Sequence, residues 1–410
     1  MPVLRHLSLG GWRQFGDVNV DFDPHLTILT GANGAGKTTI LHILAHFLGW
    51  NVPFVATPRV DPRGRLEYIT ALFARMLHPN DTRVGTITMD DGSSIDLGVP
   101  SSGGPTYQLN ITGSTNIEGS FIPSHRPVFS YSPVSGIPPR ARSRAEIGQT
   151  YRTLVQARYQ SGAGYQQSPT FSLKENLIAL AVYGYGNPAV IPDADARENF
   201  EAFNDILRQL LPPSLGFRKL AIHSPEVVLE TSTGDFSIDS VSGGIASLID
   251  MAWLIYMTVP RSGGQFVVII DEPENHLHPE LQVHLIPALL RAFPTAQYVL
   301  ATHNPLIVSS TAKSNVYALR YDEYKLVFST LLDFVDKSGT ADEILREVLG
   351  LTSVTPEWVQ QQIDEAVLEF EQSAFTDESL AVFRQRLIAL GLDKYIVRSI
   401  SELAKAQHVE

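Results

Sequence analysis

Residues 31–39 carry the side chains whose types and spacing indicate chemistry most directly. The run reads Gly-Ala-Asn-Gly-Ala-Gly-Lys-Thr-Thr, with three glycines ahead of a lysine and two threonines. Glycines let the backbone turn so that successive N–H groups point at one anion, and a helix that starts there adds its positive end. Lysine brings a mobile cation to phosphate oxygens, and threonine offers a hydroxyl to a hard ion such as Mg²⁺.

The spacing is that of a phosphate-binding P-loop, and its context supports this interpretation. An apolar run at residues 26–30 predicts a buried strand before the loop, and apolar residues from Ile40 to Leu48 predict a helix after it. The alternative, a glycine-rich turn that carries a lysine by chance, does not explain this strand–loop–helix order. Thr38 is predicted to contact Mg²⁺, and the residues predicted to bind nucleotide phosphates are Asn33, Gly34, Ala35, Gly36, Lys37, Thr38 and Thr39.

Two adjacent acids, Asp271 and Glu272, follow a second apolar run at residues 266–270. A buried strand that ends in this way is a Walker B motif. It would deliver Asp271 to the Mg²⁺ shell and place Glu272 to orient and polarise an attacking water. The competing interpretation is an acid pair that caps the next helix, which we predict to begin near Glu280.

Two weaker signals complete the series in chain order. Ser242, Gly243 and Gly244 precede an apolar helix predicted at residues 245–257, and a helix N-terminus of this kind can bind an anion. His303 follows an apolar strand predicted at residues 296–301, where a histidine could sense a γ-phosphate. A lone histidine is more often structural, but here it occupies the fourth place in the expected order.

The elements around these motifs form an α/β pattern. Alternating residues at 3–9 and 18–22 predict a hairpin before the P-loop strand, and Arg13 in its turn is either an exposed turn residue or a contact to the nucleotide. Residues 66–76 are predicted to be helical, and residues 128–131 to return to the sheet. Further helices are predicted at residues 173–183 and 197–211, the second ended by Pro212 and Pro213.

Composition narrows the class of protein. The chain has 410 residues, 44% of them hydrophobic, with a net charge of −12 and no cysteine. Disulfides and thiolate metal sites are thereby excluded, and the overall charge is not that of a nucleic-acid binder. We find neither a signal-peptide pattern nor an apolar run long enough to span a membrane, so we expect a soluble cytoplasmic protein without a membrane partner.

The four motifs together resemble the ATPase heads of the ABC superfamily. The sequence Asp-Glu-Pro-Glu-Asn-His-Leu-His-Pro at residues 271–279 more closely resembles the SMC-like branch. That branch includes RecF, the overcoming-lysogenization-defect (OLD) nucleases and Septu-type antiphage ATPases. The resemblance covers about residues 1–325 and implies ATP and Mg²⁺ as cofactors. It implies Glu272 as the catalytic base and His303 as the switch histidine. In a homodimer or higher homo-oligomer, residues 242–244 would contact the ATP of the opposing subunit.

The resemblance is incomplete in three places. Ile245 stands where the signature usually has glutamine, the glutamine-loop residue is unassigned with Gln149 and Gln156 as candidates, and the insertion at residues 50–240 lacks a long coiled coil. We therefore predict an ABC-type P-loop ATPase head at residues 1–330, with the insertion and arm region at 50–240, and a helical tail at 331–410. The tail lacks the acidic pattern of an OLD-type nuclease, which leads us to expect an ATPase that works with a separate effector nuclease.

Charge is distributed unevenly along the chain. The tail holds 7 lysines and arginines against 15 acids, and its apolar residues either pack within the protein or form a docking surface for an effector. Residues 126–158 hold six arginines and one acid, Glu146. The segment either contacts the phosphates of a nucleic acid, links to the nucleotide pocket, or is a solvated arm that pairs with the acidic tail. The arginines are Arg126, Arg140, Arg142, Arg144, Arg152 and Arg158.

Three functions are compatible with these observations. The leading one is a nucleotide-dependent dimeric switch, the ATPase subunit of an antiphage system with a separate nuclease. The second is a RecF-like repair ATPase that binds DNA directly. The third, a nucleotide-binding subunit of a membrane transporter, fits less well because no glutamine loop is evident and because of the phrase at residues 271–279. Co-purifying nuclease, salt-sensitive DNA binding and membrane association would distinguish the three.

Overall fold

The computed structural model divides the chain into two compact units, Met1–Leu349 and Gly350–Glu410. The predicted head ends close to the last strand of the first unit, which finishes at Leu331. The structure describes residues 2–70, 83–100, 104–113, 117–127, 129–161, 168–333, 341, 344–348, 357–371, 376–396 and 400.

The described strands number eighteen and are labelled in chain order. They are β1 Leu4–Leu9, β2 Phe15–Asp21, β3 Leu26–Gly31, β4 Phe54–Val55, β5 Thr57–Val60, β6 Leu66–Ile69, β7 Arg83–Met89, β8 Ser94–Gly98, β9 Thr106–Tyr107, β10 Asn110–Thr112, β11 Gly119–Ile122, β12 Phe217–His223, β13 Glu226–Thr231, β14 Phe236–Ser237, β15 Phe266–Asp271, β16 Ala296–Ala301, β17 Asn315–Tyr321 and β18 Val327–Leu331.

The described α-helices are labelled in the same way, and short helical turns occur between them. The helices are α1 Lys37–His46, α2 Arg144–Ser161, α3 Pro169–Tyr185, α4 Ala194–Leu210, α5 Gly243–Thr258, α6 Pro279–Ala292, α7 Pro305–Val308, α8 Glu357–Glu371 and α9 Asp377–Ala389. The turns are Pro213–Leu215, Ile238–Ser240, Ile344–Val348 and Asp393–Tyr395.

Eleven of these strands form one mixed sheet, in the order β10-β8-β7-β1-β2-β18-β17-β3-β16-β15-β11. The half from β17 to β11 is parallel, and the half from β10 to β2 is antiparallel. Strand β18 joins the halves, antiparallel to β17 and parallel to β2. Helices α1 and α5 pack on the parallel half. The structure thus confirms the predicted α/β class, with a mixed sheet and flanking helices.

The parallel half explains how distant motifs reach one place. Strands β3, β16 and β15 are buried throughout, as expected for strands with both faces covered. Their register pairs Asp271 with Ala301, and Ala301 with Leu29. The carboxyl ends of the three strands therefore lie at one edge of the sheet, where residues 31–38, 272 and 302–303 emerge.

The return to the sheet is not at residues 128–131, as predicted, but earlier, at β11. Strand β11 begins at Gly119, where a Cβ atom would lie 1.9 Å from the carbonyl oxygen of Val267 on β15, so only glycine permits this approach. Residues 129–131 form no strand. Pro127 and Pro133 flank them and cannot donate to a sheet, which removes two ladder hydrogen bonds.

The predicted helix at residues 66–76 is wrong at its start. Residues Leu66–Ile69 form β6 and pair with β5, with Val60 opposite Leu66. The turn between them is held by the Asp61 carboxylate, which accepts the N–H groups of Arg63 and Arg65. Residues 71–76 lie outside the described residues.

The described part of the insertion supplies three α-helices, four strands of the large sheet (β7, β8, β10 and β11) and three small sheets, of which β4-β9 and β5-β6 have two strands each. Helix α3 is capped by the Ser168 hydroxyl and α4 by the Asp193 carboxylate, and α4 ends before Pro212 as predicted. Strands β12, β13 and β14 form a separate antiparallel sheet. Helix α5 is buried from Ile245 to Met257, because it is apolar around most of its circumference.

The second unit contains the described helices α8 and α9. Val359, Ile363, Phe370, Phe383 and Leu387 are buried in one cluster between them. The sequence predicts tail helices at residues 340–348, 356–372, 377–390 and 394–406, and α8 and α9 confirm the second and third. Of the first, residues 344–348 form a helical turn. Of the fourth, only residues 394–396 and 400 are among the described residues. Leu368 is 58% exposed, so only part of the apolar surface is used in this packing.

Candidate functional site

The P-loop takes a conformation that its glycines make accessible. Gly31, Gly34 and Gly36 have φ angles of 135°, 82° and 91°, which L-residues with a Cβ atom rarely adopt. A Cβ atom at Gly31 would lie 2.4 Å from the Leu319 carbonyl oxygen, and one at Gly36 would lie 2.5 Å from the Phe15 ring. The loop therefore packs closely on β17 and β2 at the start of α1.

Lys37 and Thr38 lie at the first turn of α1. The Lys37 Nζ donates to the carbonyl oxygens of Gly31 and Ala32, at 2.8 and 3.0 Å. Burial lowers the pKa of Lys37, while Asp271, Glu272 and Glu274 act in the opposite direction. The ammonium group thus lies within the electrostatic field of three carboxylates.

Asp271 ends strand β15 beside Thr38. The Thr38 hydroxyl lies 3.1 Å from one carboxylate oxygen of Asp271 and 3.3 Å from the other. Burial raises the pKa of Asp271 to about 6, opposed by the Thr38 hydrogen bond and by Lys37. Glu274 is also buried, which raises its pKa, and it accepts a hydrogen bond of 2.6 Å from Thr302.

Glu272 has a backbone φ of 48°, in the left-handed region that non-glycine residues seldom occupy. Its Oε2 accepts a 2.7 Å hydrogen bond from the Asn275 amide, and its Oε1 lies 3.6 Å from Nδ1 of His303. The structure therefore brings together the two residues that the resemblance implied as catalytic. Asn275, which the sequence interpretation did not single out, holds the carboxylate from the other side.

The signature residues lie at the start of α5 and face outward. Ser242 caps the helix, and both Ser242 and Gly243 are exposed. A Cβ atom at Gly243 would have no neighbour within 4 Å, whereas one at Gly244 would lie 3.0 Å from the His276 carbonyl oxygen. Among the described residues, no hydrogen bond joins residues 242–244 to the P-loop of the same chain.

Among the described residues, Arg13 contacts aromatic rings and the backbone of the insertion, and no hydrogen bond joins it to the P-loop. Its guanidinium lies 5.2 Å from the ring centres of Trp12 and Phe54 and donates to the Val55 carbonyl oxygen. The neighbouring Gln14 contacts the loop instead, because its amide donates to the Gly34 carbonyl oxygen at 3.0 Å. Gln14 was missed, and its position beside Arg13 in the first hairpin was the available signal.

Most of the arginines in residues 126–158 are engaged within the chain. Arg140 pairs with Glu146 and Arg142 with Glu175, both at 2.7–2.8 Å, and Arg144 lies over the Tyr256 ring. The partners of these three arginines are head residues, whereas the sequence interpretation paired the segment with the acidic tail. Gln149 lies with Arg144 in a pocket at the amino end of β11, away from the P-loop, and Gln156 is half-buried on α2.

The residues present fit a nucleotide and Mg²⁺. The positive-φ glycines form a cradle that side chains would fill, and Lys37 stands at its edge. The Thr38 hydroxyl and the Asp271 carboxylate provide two hard oxygen donors within 3.1 Å of each other, which suits Mg²⁺. None of the described helices is both long enough and apolar enough to cross a membrane.

Comparison with known proteins gives a consistent result. The family model described as “AAA domain, putative AbiEii toxin, Type IV TA system” matches residues 26–309. The Septu protein PtuA of Bacillus thuringiensis is 23% identical over 409 residues, which cover 93% of this chain and 92% of that protein. The Retron Ec83 probable ATPase of Escherichia coli is 27% identical over 126 residues, or 28% of this chain and 23% of that protein.

The solved structures that match include SMC heads. One, an SMC head bound to the C-terminal winged-helix domain of ScpA, has a TM-score of 0.46 and 14% sequence identity. The match covers 81% of this chain and 98% of that one.

Proposed function

The chain belongs to this AAA-domain family, and from that premise we propose that it is an SMC-like ATPase of antiphage defence. The single observation that carries the proposal is the 3.1 Å contact between Thr38 and Asp271. It joins a P-loop and an acidic strand end that are more than 230 residues apart in the sequence. A nucleotide phosphate and Mg²⁺ require these two groups side by side.

In this proposal, each residue of the pocket has a separate role. The P-loop N–H groups and Lys37 would bind phosphate oxygens, and Thr38 with Asp271 would hold Mg²⁺. Bound Mg²⁺ would neutralise charge that develops on the phosphate oxygens. Glu272 orients the attacking water and accepts its proton at the carboxylate, with Asn275 on Oε2 and His303 beside Oε1. His303 can in turn respond to the presence of a γ-phosphate.

We further propose that two heads form a dimer around two ATP molecules. Ser242 and Gly243 are exposed at the N-terminus of a buried helix, a surface suited to bind the phosphates of an opposing subunit. Because ATP would lie between both subunits, its hydrolysis would release the dimer or change its grip on a partner. The chain would then act as a nucleotide-dependent switch.

The partner in this proposal is a separate effector nuclease. Support comes from the match to the Septu protein PtuA along almost the whole chain, together with the exposed apolar residues of the tail. The second candidate is a RecF-like repair ATPase that binds DNA directly, which the basic segment at residues 126–158 favours. Co-purification with and without residues 350–410 separates a docked nuclease from bound DNA.

The test of the ATPase proposal is Glu272→Gln. We expect this variant to bind ATP with unchanged affinity and to hydrolyse it about 10²- to 10⁴-fold more slowly, because the amide accepts no proton. ATP that is bound and not hydrolysed should also increase the dimer fraction, measured by light scattering. Glu280→Gln, at an exposed acid nearby, is the matched control and should behave as wild type. Wild-type turnover in Glu272→Gln would show that another residue is the base.

A further inference from the structure

Arg126 is a buried cation that the proposed chemistry does not use. The residue is only 4% exposed and lies in the segment that follows β11. Its Nε donates to the Ser247 hydroxyl at 2.6 Å. Its Nη2 lies within hydrogen-bond distance of three carbonyl oxygens, those of Glu272, Pro273 and Asn275, at 3.2, 3.2 and 2.8 Å.

The three carbonyl groups belong to one segment, residues 272–276, which we call the glutamate loop. This loop carries Glu272 in a left-handed conformation, and His276 in the same loop has a φ of 69°. Two residues in this region of conformational space within one short loop persist only if their surroundings hold them. Arg126 supplies that restraint from one side. The Ser124 carbonyl oxygen supplies a second restraint, because it accepts from the Asn275 amide at 3.2 Å.

The same guanidinium group also contacts α5, because its Nε donates to the Ser247 hydroxyl. Ser247 is 1% exposed and lies one turn beyond the signature residues that start this helix. Gly244, in the first turn, also lies against the carbonyl oxygen of His276 in the glutamate loop. One side chain therefore joins the helix that carries the signature to the loop that carries the catalytic carboxylate.

Arginine suits this position better than any other residue. Its planar group offers donors in a fixed fork, so that Nε and Nη2 reach different elements at the same time. Burial lowers the pKa of Arg126 to about 10, opposed by Asp250, Glu274, Asp271 and Glu272, so the group stays charged at neutral pH. Asp250 lies one turn after Ser247 and is fully buried, where it accepts a hydrogen bond from Tyr151.

We propose that Arg126 is a positioning residue that fixes the glutamate loop to α5, and that it thereby makes the position of Glu272 depend on the signature of the same head. In the dimer of the proposed function, on which this inference rests, Glu272 and the signature serve different ATP molecules. Engagement of the signature would be transmitted through Ser247 and Arg126 to Glu272. The two ATP sites would then respond to each other.

The test compares Arg126→Lys with Arg152→Lys. Lysine keeps the positive charge but lacks the forked guanidinium group, so it cannot hold α5 and the glutamate loop at the same time. Arg152 is a matched control, because it also donates to two backbone carbonyl groups, those of Leu48 and Gly119, but at the far end of β11. We expect Arg126→Lys to lower kcat by about 10- to 100-fold while leaving ATP affinity nearly unchanged, since small displacements of a catalytic group have effects of this size. Arg152→Lys should leave kcat close to that of wild type.

A second measurement does not depend on activity. Hydrogen–deuterium exchange of residues 272–276 should become faster in Arg126→Lys and in Ser247→Ala, and should stay at the wild-type rate in Arg152→Lys. Ser247→Ala removes only the link to α5, so ATP should still drive dimer formation in this variant while kcat falls.

The outcomes separate this inference from the ATPase proposal. If wild type hydrolyses ATP and Glu272→Gln does not, but Arg126→Lys matches Arg152→Lys in kcat and exchange, the positioning role is refuted and the ATPase proposal stands. If Arg126→Lys accelerates exchange in the loop but wild type shows no hydrolysis, the restraint is supported and the ATPase proposal fails.

Discussion

The nucleotide pocket and the signature differ in how much of each site a single chain supplies. In the pocket, Thr38 and Asp271 of one chain contact each other at 3.1 Å. In the signature, Ser242 and Gly243 are exposed, and among the described residues they form no hydrogen bond with the P-loop. The nucleotide pocket is built from strand ends that neighbouring strands hold in place. The signature is built from a helix N-terminus whose expected ligand would lie on another molecule. Under the proposed function, one head would bind nucleotide alone, while the chemistry that depends on the signature would require a second head.

The largest effect should come from the pocket itself. Lys37→Ala removes the cation that lies at the edge of the P-loop, so we expect ATP affinity to fall by about 10- to 100-fold, the range for hydrogen bonds to charged groups. The loss should be the same at all protein concentrations, because the pocket belongs to a single chain. Titration with a fluorescent ATP analogue measures it. Unchanged affinity would remove the basis of the P-loop assignment.

A change at the signature should separate the two regions. Gly243→Glu fits the isolated head, since a Cβ atom there meets nothing within 4 Å and an acid is favourable in the first turn of a helix. The carboxylate should repel the phosphates of an opposing ATP, so we expect normal ATP affinity and turnover reduced by about tenfold or more if the signature donors act in trans. Ser240→Glu, at an exposed residue outside the helix, is the control. Loss of ATP binding in a monomer would show that the signature acts in cis.

The basic segment provides a smaller effect and tests the RecF-like alternative. Arg140, Arg142 and Arg144 are engaged by Glu146, Glu175 and the Tyr256 ring. We therefore expect their combined replacement by alanine to change the slope of log affinity for DNA against log salt by less than about one. A fall in the slope of about three, measured by fluorescence anisotropy, would mean that all three contact phosphates.

The smallest expected effect is on the pH dependence of stability, and it concerns His42 on α1. Burial lowers its pKa from 6.5 to about 4, with a further contribution from Arg13. The folded state therefore keeps His42 neutral where the unfolded chain would protonate it, so its contribution to stability is complete above pH 6.5 and is lost as the pH falls towards 4. We expect the free energy of unfolding of wild type to drop by about 1–2 kcal/mol more than that of His42→Asn over this interval. The free energy of unfolding of both proteins can be measured with urea as a function of pH. If wild type and His42→Asn change in parallel, the lowered pKa of His42 is contradicted.

The sequence locates the motifs that meet at one edge of the sheet because each motif is local. Strand β15 and the acids that follow it are contiguous, and so are β3 and the P-loop, so apolar runs and spacing are sufficient to locate them. The register of three buried parallel strands then brings the motifs to one edge. This step follows from general properties of parallel sheets.

Other parts of the site depend on contacts that no local pattern encodes. Strand β11 has only four residues and begins with Gly119, whose role is visible only when Val267 lies opposite. The pair of strands at residues 57–69 depends on the turn chemistry of Asp61 and not on helical spacing. Arg126 is one of six arginines in its segment, and only its burial against the glutamate loop distinguishes it from the others.

The order of strands in the parallel half also has a consequence during protein synthesis. Strand β3 leaves the ribosome with residues 26–31, but its two neighbours are residues 296–301 and 315–321. At about 5–20 residues per second, a nascent chain would wait on the order of tens of seconds before this strand could pair on either side. Throughout that time the nascent head lacks the neighbouring strands that position the P-loop, and the apolar strand β3 stays exposed. The ability to bind ATP would therefore arise late, and only in chains whose synthesis had passed the last of these strands.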